Sequence, residues 1–91
     1  MKLDPDPELV RQIRQLKRQG QTFAEILRFL VARKLNDTEL MVQVMDAFQL
    51  TLGDVKCIDG WFPDGVNELN DEAVNRILND RLAEREKEQA A

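Results

Sequence analysis

Apolar side chains in this sequence return every three or four positions, segment after segment, and most segments open on a residue able to cap a helix. A sheet would need alternating or continuous runs of β-branched and aromatic residues. The chain offers four Phe, one Trp and no Tyr in 91 residues. That length supports one modest core. The predicted fold is all-α: a compact, single-domain bundle of about five short helices.

The first helix is expected from Asp6 as N-cap and Pro7, whose missing N–H costs nothing at the first helical position. Leu9, Ile13 and Leu16 share one face with Val10 at its margin, and Arg11, Arg14 and Arg18 lie opposite. Gly20 is a left-handed stop. Thr22 and Glu25 make a capping box for the second helix. Its wide face of Phe23, Ile26, Leu27, Leu30 and Val31 suits the centre of a bundle, and it should end near Lys34. Asn36 or Asp37 caps the third, which turns Leu40, Met41, Val44, Met45 and Phe48 inward.

Thr51 caps a short fourth helix containing Leu52, Val55 and Ile58, with Asp54 at its third position and Gly60 at its end. Pro63 disfavours helical geometry at Phe62, and Pro63-Asp64-Gly65 spells a turn. The last helix starts after Asn70, with Leu69 stapled to Val74 and with Val74, Ile77, Leu78 and Leu82 inward. Residues 1–82 are assigned to the bundle. Residues 83–91 lack an apolar stripe and are expected to form a polar, frayed tail.

The stretch Phe48-Gln49-Leu50-Thr51-Leu52-Gly53-Asp54-Val55-Lys56 resembles the capped-helix pattern in the carboxy-terminal domain of the ribosomal stalk protein family. It covers nine of the 91 residues. That domain is mixed α/β, and its β segments have no counterpart here. The resemblance implies a shared local way of starting a helix and no shared function.

Chemistry is limited by what is missing. There is no His, no Ser and no Tyr, and Cys57 stands alone. Acid–base catalysis usually falls to His, and nucleophilic hydrolysis to Ser or Cys beside a base. No catalytic residue, cofactor or metal ligand set is therefore predicted. A calcium loop around Asp59, Asp64, Asn67 and Glu68 fails on spacing, because Trp61 and Pro63 fall where oxygen ligands are needed. Cys57, between Val55 and Ile58, reads as a small packed hydrophobe. The amino-terminal residues lack an apolar signal core, no stretch is long enough for a membrane span, and a cytoplasmic protein is expected.

Charge is distributed unevenly. Residues 1–34 carry eight basic and four acidic groups, and the rest carry five basic and 13 acidic. Helix-turn-helix spacing exists, but the would-be recognition helix from about Asp37 to Phe48 holds no Lys or Arg and only Gln43 for base contacts. Arg11, Arg14, Lys17 and Arg18 on the first helix form the alternative nucleic-acid contact, weighed against a solvated outer face. Trp61 and Phe62 must either plug the bundle end or face a partner. Trp61 is read as favouring the core and Phe62 as the exposed member.

The expected function is a small, acidic, non-catalytic protein-interaction module of regulatory-adaptor or immunity type. Its partner surface comprises Phe62, Trp61, Asp59, Asp64 and Glu68, within an acidic half that also includes Asp54, Asp71 and Glu72. The partner is expected to be a protein with a basic surface, with no membrane involved. Nucleic acid through the first helix is the alternative. Homodimerisation of basic half against acidic half is a third option.

Overall fold

The computed structural model of the protein describes residues 4–90. Lys2, counted with the basic half, and Ala91, at the end of the predicted tail, lie outside them. Six helical segments follow in order: α1 (Pro7–Arg18), α2 (Phe23–Val31), α3 (Asp37–Phe48), α4 (Leu52–Val55), α5 (Cys57–Trp61) and α6 (Asp71–Ala90). The two short segments α4 and α5 meet at Lys56 and together replace the single fourth helix expected from sequence. Among the described residues there is no strand, and no helix is long and apolar enough to cross a membrane.

Local chemistry explains the helix starts. Asp6 accepts from the Glu8 and Leu9 amides, and Pro7 occupies the first helical position. Reciprocal capping boxes open α2 (Thr22 with Glu25), α3 (Asn36 with Glu39) and α4 (Thr51 with Asp54). Asn36, rather than Asp37, is the cap of α3. The Asn70 side chain accepts from the Ala73 amide at the head of α6 at 2.9 Å.

Helix α2 is the centre of the bundle: Phe23, Ala24, Ile26, Leu27 and Leu30 are all buried. It packs against α1, α3 and α6. The buried residues of α1 are Val10 and Ile13, while Leu9 and Leu16 pack only partly. Val10 is thus central, because α1 leans on α3 as well as α2.

Several stops differ from expectation. Helix α2 ends at Val31, and Lys34 takes the left-handed conformation (φ 66°), which the sequence reading expected at Gly20 and not here. Gln49 does the same after α3 (φ 56°). Gly60 does not terminate a helix but lies within α5. A Cβ there would stand 3.2 Å from Leu69 Cγ, and the Leu69 amide donates to the Gly60 carbonyl at 3.0 Å. Gly60 is needed for close approach of the returning chain.

The assignment of residues 83–91 to a frayed tail is corrected over the described positions: α6 is helical to Ala90. The anchor of this last stretch, beyond the buried Val74 and Leu78, is polar rather than apolar. Arg85 Nε donates to Asp54 Oδ2 at 2.8 Å and Nη2 to Oδ1 at 3.1 Å, with Asp54 buried in α4. A search for apolar periodicity cannot detect such a contact.

Candidate interaction surface

Residues 62–70 connect α5 to α6, and Pro63 holds Phe62 extended (ψ 139°) as its chemistry requires. The connection is braced on several sides. The Gly65 amide donates to the Trp61 carbonyl at 2.8 Å, and Asn67 Nδ2 donates to the Phe62 carbonyl at 2.7 Å. Arg28, reaching across from α2, donates to the Asp64 carbonyl at 2.7 Å. The same guanidinium makes a two-pronged contact with the Asp71 carboxylate, Nη2 lying 2.9 Å from Oδ1. Its carbon sits 5.4 Å from the Trp61 ring centre.

Trp61 is corrected as a partner-surface residue. It is fully buried, and its indole N–H donates to Asp71 Oδ1 at 2.8 Å. A large aromatic with one donor is best satisfied inside when an acceptor waits there. Asp71 is corrected as well. Arg28 first and the Trp61 N–H second hold its carboxyl below the usual range, so its charge is used internally. Asp54 is likewise removed from the acidic face. It is 3% exposed, and the Arg85 guanidinium, helped by Thr51, pushes its pKa far down.

Phe62 is half-buried and packs on the edge of the core. It is therefore a shared residue, not the freely presented anchor expected from sequence. Asp64 and Glu68 are exposed on the braced connection, and between them Val66 is 82% exposed. The sequence reading missed Val66. Its signal is an isolated apolar residue between two acids just beyond a turn. Asp59 is exposed on α5, but the Asp37 carboxyl at the start of α3 stands beside it. That contact holds Asp59 above its ordinary range, with burial and the like charge adding and Lys56 opposing.

The basic residues of α1 separate into two groups. Arg11 pairs with Glu8 one turn earlier. Arg14, Lys17 and Arg18 instead border one groove of about 300 Å³ with Phe48 and Leu82 in its lining. Gln43, the only base-reading side chain available on α3, is 3% exposed and accepts from the Asp6 amide at 2.9 Å. It is therefore turned away from any groove of DNA.

Cys57 is partly buried, and burial pushes its thiol up, away from reactivity. Among the described residues no three His, Cys, Asp or Glu side chains gather as metal ligands do. Comparison with protein families, with curated proteins and with solved structures gives no match.

Proposed function

We propose that this protein is a non-catalytic interaction module, an adaptor or immunity-type binder, that engages a basic protein surface through the connection between α5 and α6. One observation carries the reading. An apolar side chain, Val66, stands 82% exposed between Asp64 and Glu68 on a segment that is otherwise firmly braced. Exposing Val66 brings the fold no benefit, whereas a braced segment loses little conformational entropy when it docks. The acids steer a basic partner toward it and favour it over an acidic one. Phe62 contributes its outer edge. Absence of His, Ser and Tyr from the chain supports binding over turnover.

The test is capture of partner from nuclease-treated native extract by the tagged protein, run beside the Asp64→Lys/Glu68→Lys variant. The reading predicts a stoichiometric protein retained by the wild type at low salt and lost by the variant. Equal capture by both would remove this segment from the interface.

A further inference from the structure

Four arginines of this protein spend their charge on carboxylates (Arg11 on Glu8, Arg28 on Asp71, Arg81 on Glu84, and Arg85 on Asp54 and Glu88), while Arg33 folds back singly on Phe29. The groove between the ends of α1 and α3 and the second half of α6 is different. Arg14 is fixed there by neutral acceptors, donating to the Ala47 carbonyl at 2.8 Å and the Asp46 carbonyl at 3.3 Å. Lys17 is fixed by the Asn79 amide oxygen at 3.3 Å and by the face of Phe23, 4.8 Å from its centre. Arg18 is exposed at the rim. Among the described residues none of the three forms an ion pair, and Glu86 is the only acid lining the groove. Two of the cations are thus immobilised without being neutralised, which is how a site is organised in advance for an anion.

The floor is apolar. Leu82 lines it beside Phe48, whose ring is set edge-on against Phe23 at 5.3 Å between centres. An occupant must therefore bring an apolar side chain flanked by negative charge. A phosphate backbone brings the charge without the apolar part. The chain itself carries the complementary shape: Val66 between Asp64 and Glu68. Leu82 lies eleven residues along α6 from Asp71, roughly 16 Å by helical rise. The acidic segment, held at the other end of that span by its bonds to Arg28, Trp61 and Gly60, does not reach the groove of its own molecule.

We infer that the groove lined by Arg14, Lys17, Arg18, Phe48 and Leu82 receives the Asp64-Val66-Glu68 segment of a second copy of this chain. The contact is heterologous, groove to segment, and repeats from copy to copy unless the rotation closes a ring. It is small, belonging with weak encounters below about 1,200 Å². The same segment is the proposed partner surface, so self-association and partner capture compete for it. The two readings are separable, because Arg18→Glu alters only the groove.

The experiment is a mass measurement by static light scattering on the whole chain from about 10 μM to about 1 mM at low salt, the upper limit chosen for a weak contact. Mass should rise above the 10.5 kDa monomer with concentration and fall back when salt is raised. Arg18→Glu and Glu68→Lys should each weaken association by about tenfold or more, and an equimolar mixture of the two should restore it. Val66→Asp should abolish it while leaving the circular-dichroism spectrum unchanged. A monomer throughout the range overturns the inference. So does association that is indifferent to these substitutions, or nucleic acid that binds the wild type and is lost on Arg18→Glu. Loss of self-association in Arg18→Glu with partner capture intact leaves the proposed function standing, while loss of capture alone leaves this inference standing.

Discussion

The indole N–H of Trp61 donates to Asp71 Oδ1 at 2.8 Å, and this one bond ties the end of α5 to the head of α6 across the braced connection. Asp71 in turn anchors Arg28, which holds the Asp64 carbonyl. The geometry of the acidic segment thus descends from the buried Trp61 indole and the half-exposed carboxylate that accepts from it. Gly65 completes it: with φ at 77°, a Cβ there would lie 2.5 Å from Asp71 Oδ1 and 2.7 Å from Trp61 Nε1.

Trp61→Phe removes the donor and keeps most of the packing. Its expected cost is about 1–3 kcal/mol, from the lost hydrogen bond and the space left by the smaller ring together, since Arg28 still satisfies Asp71. Gly65→Ala meets both an unfavourable backbone region and a clash, so it should cost at least as much. Chemical denaturation of both variants checks this order.

Arg85→Ala should destabilise far more than Arg81→Ala. The first strands the buried Asp54 carboxylate, a loss of about 3–5 kcal/mol where a buried pair is broken. The second removes an exposed contact of 3.7 Å to Glu84, worth under about 1 kcal/mol. Hydrogen exchange over residues 83–90 should accelerate in Arg85→Ala alone.

Two carboxylate classes give opposite pH dependences. Asp54 and Asp71 are held below their ordinary value of 3.8, so their stabilisation is present above that value and is lost as pH falls through the acid range. Asp59 is held above 3.8 by Asp37, so its contribution is present at low pH and is lost as pH rises through its folded value. Asp59→Asn should therefore stabilise the protein at neutral pH, by less than about 1 kcal/mol because the pair is exposed, and the gain should vanish below about pH 3. Thermal melts of both proteins across pH 2–7 decide it.

Phe62→Ala and Val66→Asp should separate packing from recognition. Phe62 packs on the core edge, so its truncation should cost about 1–3 kcal/mol as well as weaken partner capture. Val66→Asp should change stability by no more than about 0.5 kcal/mol and remove capture. Unfolding curves and capture assays on the same preparations check both.

The helix starts were legible because their chemistry is local. Asp6, Thr22, Asn36 and Thr51 each bond amides two or three positions ahead. What was not legible lies at long separation. Arg85 finds Asp54 from 31 positions away, Arg28 finds Asp71 from 43, and Gln43 meets the Asp6 amide from 37. Each of these polar side chains looked like surface until the fold supplied its partner. Gln49 at the end of α3 and Lys34 in the turn after α2 take the left-handed region without being glycine, which sequence rules that look for glycine do not find. At the candidate surface, Asp64 and Glu68 were readable as exposed acids beyond a turn. Trp61 was not readable as a buried donor without sight of Asp71, and Val66 was passed over for the larger aromatic beside it.

The central claim, that the segment from Asp64 to Glu68 is the binding surface, is tested most directly by amide chemical-shift mapping of the labelled protein titrated with its captured partner. The account predicts shifts concentrated at Phe62, Asp64, Val66 and Glu68, fading as salt is raised. Shifts concentrated on Arg11, Arg14, Lys17 and Arg18 with the segment unmoved would contradict it.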